Sequence, residues 1–203
     1  IGRANYSFDD RYLATVTFRA DGSSRFGKNN KFGYFPSAAL AWRISNESFL
    51  KGVDQFTSLK LRLGWGRTGN QEIGDYPALS TYQSAGSAIW DGKQVVGTGP
   101  AKIPNPDLKW ETTDQVNLGL DFGVFNNRIN GGIDYFWKKT TDMLLQLPVP
   151  QSTGYNSILS NIGRIDNKGI ELFLNTVNID TRDFKWESNI TFTSMRNKVK
   201  DLG

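Results

Sequence analysis

The sequence predicts an all-β chain, an antiparallel up-and-down transmembrane β-barrel segment that supplies about eight strands of a larger barrel. Three observations lead there. The first is the run Thr112–Lys139, where Val116, Leu118, Leu120, Phe122 and Val124 alternate with Asn117, Gly119, Asp121 and Gly123. After a turn at Asn126-Asn127, Ile129, Ile133, Tyr135 and Trp137 alternate with Asn130, Gly132, Asp134 and Lys138. Period 2 on both sides of a turn marks a hairpin with one apolar face, and Asn tolerates the left-handed backbone of tight turns. Each strand exceeds the about 5–6 residues usual in soluble sheets and matches the about 9–11 that cross a bilayer when tilted.

The second observation is composition. Hydrophobic residues make up 38% of the 203 residues and aromatics 13%, with 21 glycines. No apolar run approaches the about 18 residues of a membrane helix, whereas a barrel strand gives only alternate residues to lipid. The third is the spacing of connections. Compact ones at Asp9–Arg11, Ser45–Ser58, Asn126-Asn127 and Asp180–Asp183 alternate with long ones at Ala20–Lys31, Arg67–Glu111 and Thr140–Lys168. An up-and-down outer-membrane barrel has short periplasmic turns and long extracellular loops, which gives that alternation.

In chain order, Ala4, Tyr6 and Phe8 share one face of the first strand, Gly2–Phe8. Tyr12, Ala14, Val16 and Phe18 continue the pattern in the second, opposite Thr15, Thr17 and Arg19. The third strand, Phe35–Ile44, sets Pro36, Ala38, Leu40, Trp42 and Ile44 against Arg43, with Pro36 near its start, where a missing donor is tolerated. Ser45 or Asn46 is expected to cap a helical turn at Glu47–Leu50. In the fourth strand Leu59, Leu61, Leu63 and Trp65 oppose Lys60, Arg62, Gly64 and Gly66. Lipid exposure of Lys60 or Arg62 at midplane costs about 2–4 kcal/mol each, so the charges face the lumen. The central hairpin supplies strands five and six. Ile170, Leu172 and Leu174 carry the seventh, and Trp186, Ser188, Ile190 and Phe192 the eighth. Leu61, Leu63, Leu118, Leu120, Ile133 and Leu172 are the expected lipid contacts, and Trp42, Trp65, Trp137 and Trp186 the interfacial girdle.

Several function classes fall away. Cysteine and histidine are both absent, which removes disulfides, the usual zinc and haem ligands, Cys nucleophiles and the Ser-His-Asp triad. The net charge of +4 is scattered and forms no basic stripe, so no nucleic acid partner is expected. Glu72, Asp75 and Asp91 invite comparison with a glycosidase pair, but nothing fixes their separation. The chain is expected not to be an enzyme and to need no cofactor or metal. The candidate substrate-binding residues are the loop aromatics Tyr76, Tyr82, Trp90 and Tyr155 together with the lumen-facing Arg62. A ring there stacks on a sugar face or packs loop against loop, and both readings stay open. Asp121 and Asp134 join Arg62 on the lumen side as selectivity candidates. The Gly-rich stretch Arg19–Gly27 lacks a P-loop lysine and a following helix, which favours a structural turn over phosphate contact. Gly69–Tyr76 reads first as a loop anchor.

The blocks RADGSSRFG at Arg19–Gly27, FPSAALAWRISNESFL at Phe35–Leu50 and LKLRLGWGRTGNQEIGDYPALSTY at Leu59–Tyr82 resemble the SusC/RagA family of TonB-dependent outer-membrane transporters. So do NPDLKWETTDQVNLGLDF at Asn105–Phe122, IDYFWKKTTDMLL at Ile133–Leu145 and NIGRIDNKGIELFLNT at Asn161–Thr176. The resemblance implies a piece of the C-terminal half of a barrel of roughly 22 strands. Residues 1–203 would then be part of one barrel domain, with plug and barrel closure outside them. The partners it implies are outer-membrane lipid, a SusD-like lipoprotein lid, the TonB energy-transducing complex and a glycan or oligopeptide cargo. Two alternatives stand beside it: a soluble β-sandwich carbohydrate-binding module and a passive porin-like barrel. Both chain ends interrupt the alternating pattern and are expected to be cuts in a longer polypeptide.

Overall fold

A computed structural model of the chain describes residues 1–50, 52–53, 55–74 and 78–202. In chain order the strands are β1 (Gly2–Phe8), β2 (Tyr12–Gly22), β3 (Phe32–Arg43), β4 (Phe56–Asn70), β5 (Thr81–Trp90) and β6 (Lys93–Lys102). There follow β7 (Glu111–Val124), β8 (Ile129–Thr141), β9 (Leu144–Pro148), β10 (Ser157–Asn161), β11 (Arg164–Asp180) and β12 (Lys185–Asp201). Eight of them form one antiparallel sheet in the order β1-β2-β3-β4-β7-β8-β11-β12. These are the eight strands that the alternation predicts, each pairing with its predecessor among them. The remaining four make two separate hairpins, β5–β6 and β9–β10, inside the long connections.

Register shows why the alternation matters. Tyr6, Ala14, Leu40, Leu63, Leu118, Tyr135, Ile170 and Ser194 are successive cross-strand partners in one row across the sheet. Because side chains alternate with period 2, this row shares its face with Leu61, Leu120, Ile133 and Leu172. Leu40, Leu63, Leu118, Ile133 and Ile170 are 43–56% exposed, and among the described residues no second sheet covers them. That bare apolar face differs from the sandwich alternative, in which a second sheet would bury it. No described helix is long and apolar enough to cross a membrane. The opposite face carries the row Ala41, Arg62, Gly119, Asp134, Glu171 and Thr193.

The compact connections lie at one end of the sheet. At Asn126-Asn127 the expected turn is present, with Phe125, Asn126 and Asn127 all at positive φ of 53–60°. Between β3 and β4 the expected cap is not. Two 3₁₀ turns, Ile44–Asn46 and Ser48–Leu50, replace a single turn, and no side chain caps the first. Asn46 instead donates from Nδ2 to the Asp10 carbonyl at 3.0 Å. The Glu47 carboxylate organises this end. It accepts from Tyr12 Oη at 2.7 Å, Trp42 Nε1 at 2.9 Å and Arg11 Nη1 at 3.0 Å. Hydrogen bonds from Tyr12 and then Trp42, opposed by burial and aided by Arg11, hold it below the usual carboxylate range. Phe8, Tyr12 and Trp42 stack in sequence here, at 6.5 and 6.4 Å between centroids, as an aromatic girdle.

Candidate functional site

The long-loop end is built differently. The pairing of β3 with β4 stops at Ser37 and Gly66. Beyond that point the Phe35 ring fills the space by Gly69, where any Cβ would collide with it. Phe35 meets Trp110 edge-on at 5.3 Å, and Phe26 tilts against the same indole at 5.2 Å. With Ile73 and Leu108 these residues form a buried core, onto which Leu144 of β9 and Leu159 of β10 pack. Six separate stretches of chain meet there, so the cluster ties the three long connections together.

Polar side chains complete this clasp. Asn105 Nδ2 donates to the Leu159 carbonyl at 2.9 Å, and Asn30 Nδ2 to the Asp107 carbonyl at 3.1 Å. Asn161 accepts from the Lys109 amide at 2.8 Å and donates to the Lys109 and Asp142 carbonyls at 2.7 and 2.9 Å. Arg25 Nη1 reaches the Gln71 carbonyl at 3.2 Å. Loop backbone that lacks a ladder partner is thereby satisfied by amide side chains. The Gly-rich stretch Arg19–Gly27 and the segment from Gly69 thus serve as anchors, through buried Phe26 and Ile73.

Above the clasp a cavity of about 340 Å³ lies between the base of β5–β6 and the β9–β10 hairpin, lined by Ala101, Lys102, Ile103, Gln146, Tyr155 and Leu159 among others. Both hairpins add strands to Arg67–Glu111 and Thr140–Lys168, which the alternation reads only as long connections. A signal for β5–β6 was available: Asp91-Gly92 sits at its tip with φ of 51° and 70°, the dipeptide that favours a type I′ turn.

The candidate residues are dispersed. Tyr155 is half-buried and lines the cavity. Tyr82 and Trp90 stand on the β5–β6 hairpin, 75% and 77% exposed, with Trp90 paired to Lys93 at the tip. Tyr76 lies outside the described residues, as does Asp75. Arg62 is on the sheet's polar face, well away in sequence register from the loops. Its Nε and Nη2 donate to both Asp121 oxygens at 2.8 Å, and Nη2 also reaches Asp134 at 3.0 Å. Gly119 leaves the room for this triad, since a Cβ there would meet both the guanidinium and Asp134. The residues that hold the loops, Phe26, Leu108 and Trp110, carry no periodic signal in the sequence.

Residues 2–202 match the family model described as TonB dependent receptor-like, beta-barrel. The TonB-dependent receptor SusC of Bacteroides thetaiotaomicron is 45% identical over 205 residues, covering 99% of this chain and 20% of SusC. A TonB-dependent receptor of Formosa agariphila is 42% identical over 202 residues, 100% of this chain and 20% of that protein. The chain therefore spans about a fifth of the length of these relatives. Among solved structures, the RagAB peptide transporter superposes with a TM-score of 0.90 at 32% identity, over 98% of this chain and 22% of its own. The siderophore receptor PirA of Pseudomonas aeruginosa, at 17% identity and a TM-score of 0.59, shares the fold. An eight-stranded wall with one lipid-ready face, capped by clasped loops and matched along its whole length, belongs to the TonB-dependent receptor β-barrel family, in its SusC/RagA branch.

Proposed function

We propose that this chain is the part of a bacterial outer-membrane importer that builds one side of the barrel wall and its extracellular rim. The transporter takes up a glycan or oligopeptide with a SusD-like surface lipoprotein as its lid, and TonB supplies the energy through parts of the protein outside residues 1–203. The observation that carries this reading is the end-to-end similarity to SusC together with the close superposition on RagAB. Tyr155, Tyr82 and Trp90 are the proposed cargo contacts, since they belong to the hairpins around the rim, and Tyr76 joins them on its place in the sequence alone. Aromatic rings there serve sugar faces and peptide side chains alike. Arg62, paired with two carboxylates, acts on the lumen's charge and shape. This is transport, and nothing in the reading calls for a reaction.

Uptake by cells carrying the full-length protein tests it. Labelled oligosaccharides and oligopeptides are offered with TonB intact or deleted, and import of one class is expected to stop without TonB. Import that persists without TonB would identify the passive porin-like barrel instead.

A further inference from the structure

The lipid-ready face of β8, β11 and β12 changes character toward its long-loop end. The rows Ile133–Leu172–Phe192 and Tyr135–Ile170–Ser194 give way to Trp137–Lys168–Arg196 and then Lys139–Asp166–Lys198. No register shift separates these rows, so all of them lie on the face that carries Ile133 and Leu172. A groove of about 430 Å³ opens there, lined by Tyr135, Trp137, Asp166, Lys168, Arg196, Lys198 and Lys200. Lys168, Arg196, Lys198 and Lys200 are all exposed.

The nearby carboxylates do not balance these cations. Asp166 is engaged by Arg164, at 2.8 and 2.9 Å from Nε and Nη2. Asp201 stands opposite Arg164 in the register. Asp114 is held by Arg67 in a second bidentate pair, at 2.8 and 2.9 Å. Against Asp114, Asp166 and Asp201 stand Arg67, Arg164, Lys139, Lys168, Arg196, Lys198 and Lys200, so the cluster keeps a net positive surplus even though Lys139 lies opposite Asp114 and Asp166. On the lipid side of a barrel such a surplus is tolerated only near the interface, where its cost falls close to zero. Trp137, in the same row as Lys168, and Tyr135 below it mark that depth, because indole and phenol rings settle at the headgroup level. The long Lys and Arg stems extend the positive heads upward from the apolar wall.

The geometry points to a binding site for a phosphate-bearing lipid headgroup of the outer leaflet, seated in the Lys168–Arg196–Lys198 groove with its chains along Ile133, Leu172 and Phe192. Phosphate is the matching chemistry, since guanidinium and ammonium groups converge on it with charge-assisted hydrogen bonds. The site's position on the lipid side, below the loops, selects a lipid over a soluble anion. This inference rests on the outer-membrane reading above.

Fractionation comes first: a full-length protein absent from the outer membrane and unaltered by boiling on a gel would overturn that reading and this one with it. The purified full-length protein is then placed in nanodiscs of phosphatidylethanolamine doped with bis-phosphorylated lipid A, and retained lipid is read by native mass spectrometry. Wild type is expected to keep phosphorylated lipid A, to discriminate against the dephosphorylated form, and to resist displacement by inorganic phosphate. The combined Lys168→Ala, Arg196→Ala and Lys198→Ala variant is expected to lose about tenfold or more of that retention, given the scale of basic-residue attraction to anionic headgroups. The matching Lys168→Arg and Lys198→Arg variant retains it. Equal retention of phosphorylated and dephosphorylated lipid by wild type would sink the proposal even if the alanine variant failed to fold. Displacement by inorganic phosphate would reassign the groove to a free anion.

Discussion

The wall and the clasp above it follow opposite burial rules within one chain. On the wall, Leu63 and Leu118 are 45% and 47% exposed, while Arg62 and Asp134 lie on the other face, linked to one another. In the clasp, Leu108 is fully buried and Phe26 only 2% exposed. The wall is held by its backbone ladder and by lipid, which replaces a protein core on one face. The clasp gathers residues from loops as well as from β3, β9 and β10, and is held as a small soluble domain is, by aromatic packing and satisfied amides. Substitutions should therefore divide cleanly between the two regions.

The largest effect is expected at Trp110. Replacing Trp110 by Ala removes the ring on which Phe26 and Phe35 both pack, at a cost of about 3–5 kcal/mol. Hydrogen exchange should speed up in residues 23–31 and 142–163 while the strands of the wall stay protected. Exchange that rises equally in β7 and β8 would show that the two regions are one cooperative unit. Trp110 Nε1 is buried with no hydrogen-bond partner among the described residues, and such an orphan donor costs about 1–3 kcal/mol. Trp110→Phe, which loses the donor with part of the ring, is thus expected to be far milder than Trp110→Ala.

Next in size is Leu118→Arg. Placing a cation on the lipid face should destabilise the full-length barrel by about 2–4 kcal/mol, seen as a lower urea midpoint in lipid vesicles. The neighbouring Asn117→Arg, on the lumen side, should leave the midpoint within about 0.5 kcal/mol. Similar losses at both positions would mean that the two faces are not solvated differently. Smaller again is Arg62→Ala, which strands Asp121 and Asp134 beside each other. Hydrogen bonds to charged groups set a scale of about 1.5–3 kcal/mol, and the partial exposure of all three residues brings the expected loss to the lower end. Cargo flux should change with it, and an unchanged flux in a folded Arg62→Ala barrel would remove Arg62 from the transport path.

The same contrast decides what was legible in the sequence. Lipid on one side and lumen on the other force every wall strand into strict alternation, so Leu59–Trp65 and Val116–Val124 announce both strand and face. Alternation therefore puts Arg62, Asp121 and Asp134 on the face opposite the leucines, where the register has them, though nothing in the sequence says that they pair with one another. β11 and β12 outrun their apolar cores because their long-loop halves, Arg164–Gly169 and Ser194–Asp201, are charged on the face of Ile133 and Leu172 and set Ile165, Met195 and Val199 among polar residues on the other. The β5–β6 hairpin is exposed on both sides too, so Thr81–Lys102 shows no period and only Asp91-Gly92 betrays it. Clasp residues such as Phe26 and Leu108 come from turns, where burial depends on distant partners rather than on spacing. The cavity around Tyr155 depends on two such hairpins meeting, and no local pattern encodes that.

The smallest effect is expected at Glu47, where the wall borrows the clasp's manner of construction. Its carboxylate is buried at the compact-turn end under Tyr12, Trp42 and Arg11. The folded-state pKa is depressed, chiefly by the Tyr12 and Trp42 hydrogen bonds. A depressed carboxylate contributes its stability fully above the unfolded-state value and loses it as pH falls through the lower folded-state value. The midpoint of the heat-induced gel shift should thus be flat from neutral pH down to about 5 and decline below about 4. Glu47→Gln cannot titrate, so its midpoint should start lower at neutral pH and lose less on acidification. The difference between the two proteins should shrink as pH falls. A difference that instead widened in acid would mean that protonating Glu47 stabilises this end, and that its carboxylate is held above rather than below its ordinary range.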